Sequence, residues 1–232
     1  MEAQQHLKLA VINRLIGLIY VLKKFLNTNC NIKKYFIMQK QCLFLGYKKN
    51  QTSLIKFLKK KNFIIKNYQK IPALKVFKQS DFILSFGFRE IISDKIIKKL
   101  KKPIFNIHLS YLPFNRGAHP NFWSFIENTP AGVSIHKIDA GIDAGNIILR
   151  KKINFNIKLD KFCTFKKTYN YLFLEAEKLF KKNFNKIYNK KSKKILNKSK
   201  GTFHYKKDLP RWMKNWNMRI SLAKKKLIKP KD

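Results

Sequence analysis

Arginine is scarce in a chain otherwise saturated with positive charge: six of the 52 basic residues are Arg, leaving 46 Lys. Arg is the side chain suited to bidentate phosphate and base recognition, so its scarcity argues against a surface built to read nucleic acid and points to a coding bias toward Lys. Carboxylates are also few, 12 in all, and the formal charge is +40. That balance excludes cationic partners and leaves nucleic acid, anionic lipid or acidic small molecules. The three cysteines, Cys30, Cys42 and Cys163, are odd in number and widely spaced, with no C-x-x-C pair. This excludes a disulfide framework and a zinc site, no metal is expected, and a reducing, cytoplasmic setting follows. Long apolar runs are missing too. The best candidate, Leu9 to Leu22, carries Asn13 and Arg14 and is too short to span a bilayer, so no stable membrane insertion is expected. It reads as an amphipathic helix within an extension over residues 1–37, whose role as accessory helix, misassigned start or targeting segment stays open.

What remains is enough for one globular domain, over residues 38–232: a 45% apolar chain of 232 residues can bury a sizeable core. Short β-prone runs alternate with lysine-rich segments of helical length. Gln41 to Gly46 reads as a strand, Thr52 to Lys61 as a helix, Asn62 to Asn67 and Asp81 to Phe86 as strands, Ser93 to Leu100 as a helix and Ile104 to His108 as a strand. This repetition predicts an α/β fold with a mostly parallel, Rossmann-like sheet and helices on both faces. Ligands bind such sheets at the carboxyl ends of the strands, which places the loops after Phe86 and His108 at the working edge. Gly132 to Ile138 and Asn146 to Phe155 read as further strands, Thr164 to Tyr188 as a long helix, and the rest as a lysine-rich tail too short for an independent core.

Between Pro103 and Leu149 the lysines stop: only Arg116 and Lys137 are basic. Three of the five histidines (His108, His119, His136) and three carboxylates (Glu127, Asp139, Asp143) fall there. A buried polar site explains such an island, because unpaired lysines there would cost several kcal/mol of desolvation. Asn106 and His108, two apart on one strand, point to the same face. An Asn amide can donate to a developing oxyanion, and an imidazole beside it can move a proton. Asp143, in the glycine-rich turn Ala140 to Gly145, can return a carboxylate over the strand end to hold His108. An N-x-H pair alone is more often the signature of a hydrogen-bonded core pair.

The run F-N-I-H-L-S-Y-L-P-F-N-R-G, followed by A-H-P-N-F-W and G-V-S-I-H-K-I-D-A-G-I-D-A-G-N-I-I, resembles the signature of folate-dependent formyltransferases, which act on methionyl-tRNA, amino sugars or glycinamide ribonucleotide. With a weaker match at L-F-L-G, Leu43 to Gly46, the resemblance covers about half the chain, roughly Met38 to Phe155. It implies the formyltransferase fold and 10-formyltetrahydrofolate as co-substrate. It also implies Asn106 and His108 stabilising the oxyanion while an amine attacks the formyl carbon, with Asp143 positioning His108 and relaying the proton. Folate contacts would come from Phe86, Gly87, Phe88, Ile91, Asp139 and Gly141, and acceptor contacts from Ser110, Arg116 and Gly117. Two positions depart from the pattern: Ala144 replaces a common Thr or Ser, and Ala140 a common acidic residue. They bear on loop packing and pterin contacts. Outside the signature, His119 and His136 read as structural, Phe122 and Trp123 as core, and G-T-F-H at Gly201 to His204 resembles a short tail of some members.

The resemblance leaves the acceptor open. A small anionic amine such as a nucleotide-linked amino sugar comes first, then methionyl-tRNA, since the residues after Phe155 do not suffice for the usual tRNA-holding barrel, then glycinamide ribonucleotide. From other classes, a non-catalytic RNA-binding protein on a degenerate domain and a peripheral membrane protein anchored at Leu9 to Leu22 are the alternatives. A homodimer is compatible with all of them.

Overall fold

The computed structural model describes residues 15–20, 24, 39–189, 195 and 201–228. The chain divides after Gln39 into two units. In the first, residues 15–20 and 24 are helical, and Leu15, Ile16, Leu18, Ile19 and Tyr20 are exposed. The remainder of the Leu9 to Leu22 segment lies outside the described residues. Among the described residues, no helix is long and apolar enough to cross a membrane.

The second unit is built on strands β1 (Lys40–Gly46), β2 (Phe63–Tyr68), β3 (Phe82–Phe86), β4 (Ile104–His108), β6 (Gly132–Lys137) and β7 (Ile147–Lys152), in the order β2-β1-β3-β4-β6-β7. A separate ribbon pairs β5 (Arg116–Gly117) with β8 (Phe203–His204) in parallel. The first four large strands run parallel because each link carries a helix: α1 (Leu54–Lys60), α2 (Leu74–Gln79) and α3 (Asp94–Lys98). β6 runs antiparallel to β4, and β7 antiparallel to β6. The loop 138–146 is too short to carry the dozen or more residues a parallel crossover needs, so β7 has to turn back.

The central strands are apolar on both sides, as strands covered on both faces should be. Phe44, Leu84, Phe86, Phe105 and Ile107 pack against α1 and the long helix α5 (Phe165–Tyr188), through Leu58, Leu172, Ala176 and Phe180. Leu43, Leu45, Ile83 and Ile104 face the other way, toward Phe77 of α2 and Ile96 and Ile97 of α3. Each of the Leu, Ile and Phe side chains here, when fully buried, contributes about 1.5–3 kcal/mol. Helix α5 begins where its sequence says: Thr164 accepts from Lys167 N–H at 3.3 Å as N-cap.

Helices α2, α4 (Pro120–Ile126) and α6 (Ile220–Ile228) had no counterpart in the sequence reading. α2 is six residues long and buries only Phe77, so its apolar period is too brief to register. The tail builds no core of its own. Met213, Ile220 and Ala223 instead complete a cluster with Phe122, Phe125 and Phe165.

Candidate active site

Along β4 the pleat sends Phe105 and Ile107 into the core shared with α1 and α5, and Asn106 and His108 to the opposite face with Ile104. Antiparallel pairing sets His136 of β6 beside Asn106, and Ser134 beside His108. Cross-strand partners share a face, so the N-I-H triplet of β4 lies over the S-I-H triplet of β6. A register shift at Ile135/His136 marks a bulge beside this cluster.

Asp143 comes back over the strands from the loop 138–146 with φ +49, a left-handed backbone that Asp tolerates better than most residues. Its Oδ1 accepts from Asn106 Nδ2 at 3.2 Å and lies 3.2 Å from His136 Nε2. Its Oδ2 accepts from Gly117 N–H at 3.0 Å and lies 3.6 Å from His108 Nε2. Burial by itself would raise this carboxyl, but the His108 charge, the hydrogen bond and charge of His136 and the Gly117 N–H hold it well below the ordinary carboxylate range.

The imidazoles have defined roles. A carbonyl oxygen only accepts, so Nδ1 of His136, 2.8 Å from Lys137 O, carries a proton. Its Nε2 therefore accepts from Asn106 Nδ2, at 3.0 Å, when the ring is neutral, and donates to Asp143 when it is protonated. By the same argument His108 Nε2 donates to Asn115 O at 3.0 Å, which leaves Nδ1 with the lone pair. Asn106 Nδ2, His136 Nε2 and Asp143 Oδ1 form a nearly equilateral triangle with sides of 3.0, 3.2 and 3.2 Å. The Asn106 amide is thereby tied to both the His136 ring and the Asp143 carboxylate.

The formyl transferase family pattern matches residues 31–168. The chain belongs to that family. It is 37% identical over 93 residues to the bifunctional polymyxin resistance protein ArnA of Wigglesworthia glossinidia brevipalpis, which is 40% of this chain and 14% of ArnA. It is 34% identical over 77 residues to methionyl-tRNA formyltransferase of Finegoldia magna, 33% of this chain and 25% of that protein. These matches span a quarter or less of the curated relatives. Among solved structures, the formyltransferase PseJ from Anoxybacillus kamchatkensis, in complex with UDP-4,6-dideoxy-4-formamido-L-AltNAc and tetrahydrofolate, is 33% identical with a TM-score of 0.71, covering 78% of this chain and 96% of PseJ. The N-formyltransferase from Helicobacter canadensis, in complex with folinic acid and dTDP-3-aminofucose, is 25% identical with a TM-score of 0.58, covering 75% of this chain and 73% of that one.

The family signature therefore converges in space, with differences of detail from the sequence expectation. Phe86 does not line a cleft: its ring is buried against Tyr47 and Phe173 and supports the loop from below. Gly87, Ile91, Asp139 and Gly141 are exposed on the loops after β3 and β6, and Phe88 is half-buried. Gly87 and Gly141 have φ of +68 and +92. Asp139 accepts from Ala140 N–H at 2.8 Å, an exposed turn contact. Ser110 is buried with its hydroxyl unpartnered, and the buried Nε of Arg116 also makes no hydrogen bond. Gly117 holds Asp143 directly. A basic concavity lined by Lys48, Lys49, Asn50, Asn67 and Gln69 opens at the carboxyl ends of β1 and β2. Among the described residues no group of three or more His, Cys, Asp or Glu is placed to hold a metal.

Two residues were underrated or missed. His136, 1% exposed, is a full member of the cluster. The repeated x-I-H spacing at Asn106–His108 and Ser134–His136 was the available signal. Asn115, whose carbonyl receives His108, sat in the signature unremarked. His119, in contrast, lies outside the cluster, stacked on Trp216 at 5.4 Å. Phe122 is core, as expected.

Proposed function

We propose that this protein transfers a formyl group from 10-formyltetrahydrofolate to the primary amine of a small anionic acceptor, a nucleotide-linked amino sugar. The observation that carries the chemistry is the convergence of Asn106, His108 and Asp143 at the carboxyl edge of β4. Likeness to PseJ over nearly that protein's whole length supports the acceptor class.

The loops flanking β4 fit a reduced folate. Exposed Ile91 and Ile142 offer apolar surface, and Gly87 and Gly141 leave the main chain accessible to a flat ring with polar edges. When bound, the folate supplies an activated formyl carbon. The Asn106 amide donates to the formyl oxygen as negative charge builds there. A bond forms from the acceptor nitrogen to that carbon, and the bond to the folate nitrogen breaks. One proton must leave the acceptor nitrogen and one must reach the folate nitrogen. Nδ1 of His108 takes the first and returns it to the folate nitrogen as that bond breaks, with Asp143 stabilising the imidazolium in between. His136, able to accept or donate at Nε2, adjusts the network to the extra proton. Arg116, next to the Gly117 that holds Asp143, and the lysines Lys48 and Lys49 after β1 bring positive charge to this edge of the sheet, which suits a nucleotide diphosphate.

The test is incubation with isotopically labelled formyl-folate and a panel of UDP- and dTDP-linked amino sugars, methionyl-tRNA and glycinamide ribonucleotide, read by mass spectrometry. An amino sugar is expected to be formylated with a kcat/KM at least about tenfold above the others. Preference for methionyl-tRNA would replace the acceptor assignment. Formylation of nothing, together with tRNA affinity that survives physiological salt, would favour the RNA-binding alternative.

A further inference from the structure

Nothing in the catalytic residues themselves fixes the Asn115 carbonyl that receives His108. Asn115 is fully buried with φ +56, and all its polar atoms are used. Its N–H donates to Thr202 Oγ1 at 2.8 Å, and Thr202 Oγ1 donates back to its Oδ1 at 3.1 Å. Thr129 completes the clasp, accepting from Asn115 Nδ2 at 2.8 Å and donating to Oδ1 at 3.2 Å. The next residues continue the same attachment. Arg116 N–H donates to Thr202 O at 3.0 Å and Ala118 N–H to His204 O at 2.8 Å, so Thr202 and β8 together grip the loop that sends Asn115 O to His108 and Gly117 N–H to Asp143. The fit leaves no slack: a Cβ on Gly117 would meet His204 O at 2.3 Å, and one on Gly201 would meet Pro113 O at 2.1 Å.

We infer that Thr202, some 60 residues beyond the last catalytic candidate, is a positioning residue that sets the tautomer and orientation of His108 through the Asn115 carbonyl. Fixing a proton on Nε2 keeps the lone pair on Nδ1, the nitrogen that must take the proton from the acceptor amine. The inference deepens the formyl-transfer reading and rests on it. A valine is nearly the shape of threonine but has no hydroxyl, so Thr202→Val removes both hydrogen bonds to Asn115 while filling the same space.

In nitrogen-resolved NMR of the unliganded protein, His108 is expected to be almost wholly the Nε2–H tautomer in the wild type and a mixture in Thr202→Val. With the acceptor that the panel assay selects, kcat is expected to fall about 10–100-fold while both KM values stay within about twofold, as misplacement of a reacting group should cause. Thr202→Ser, which keeps the hydroxyl, restores the tautomer and most of the rate. An unchanged tautomer and rate in Thr202→Val overturns the inference, as does a rate loss with the tautomer intact. If Thr202→Val does not fold, Asn115→Gly carries the same expectation. It keeps the carbonyl and the left-handed backbone but removes the side chain the two hydroxyls hold, and a fixed tautomer in it is equally fatal. Because the tautomer is read without substrate, failure of the wild type to formylate any amine would sink the formyl-transfer reading and leave this measurement standing.

Discussion

Two carboxylates in this protein are almost equally sheltered, yet their surroundings differ in kind. Glu177 of α5 accepts from Thr52 Oγ1 at 2.6 Å, from Ser53 N–H at 2.8 Å and from Ser53 Oγ, with Lys181 at 3.7 Å. It caps α1 from a distant helix, because Ser53 at the N-cap makes no cap bond of its own. Asp143 faces two imidazoles, an amide and a glycine N–H, on a backbone bent into the left-handed region. Hydroxyls and main-chain donors near Glu177 have nowhere to send a proton at neutral pH, whereas imidazoles do. Burial of a carboxylate therefore does not mark a site; partners that can exchange protons, held by strained backbone, do.

That contrast can be broken by substitution. Asp143→Asn or His108→Ala is expected to lower kcat by about two to four orders of magnitude while the fold persists, measured by formyl transfer beside circular dichroism. Near-normal rates in both would place Asp143 in the same structural class as Glu177. Next in size, Gly117→Ala forces φ +84 on a residue with a side chain and drives it onto His204 O, so about 2–4 kcal/mol of stability should be lost in urea titrations. Glu177→Gln should lose about 1–3 kcal/mol with kcat changed by less than about twofold. A rate collapse there would erase the distinction between the two carboxylates.

The smallest effect is in acid. Asp143 has a folded pKa depressed below its unfolded value, so its ionisation contributes fully above the unfolded value of about 3.9 and the contribution is lost as pH falls toward the folded one. The stability difference between wild type and Asp143→Asn should therefore narrow between about pH 5 and pH 3. A constant difference would mean that the carboxyl is not held low by its neighbours.

Much of this was legible before any coordinates. The strands β1 to β4, the helix α5 and the shared face of Asn106 and His108 all follow from apolar periodicity and strand alternation. The clustering of Asp143 with them followed from the family signature. Phe86 was misjudged because a strand's last residue can point into the core or over the cleft, and the pleat alone decides which. His136 was undervalued because its place beside Asn106 depends on antiparallel register between strands about 30 residues apart, which no local pattern encodes.

By itself the sequence determined which segments would build the six-stranded sheet, which face of β4 would be polar, and that one stretch held a single lysine, since all three depend on interactions over a few residues. Only the tertiary structure decided that Glu177 caps α1, that β6 sets His136 against Asn106, and that Thr202 clasps Asn115. Those contacts join residues 30 to 125 positions apart, and hydrogen bonds at such separation are selected by the packing of the whole domain, not by any spacing written along the chain.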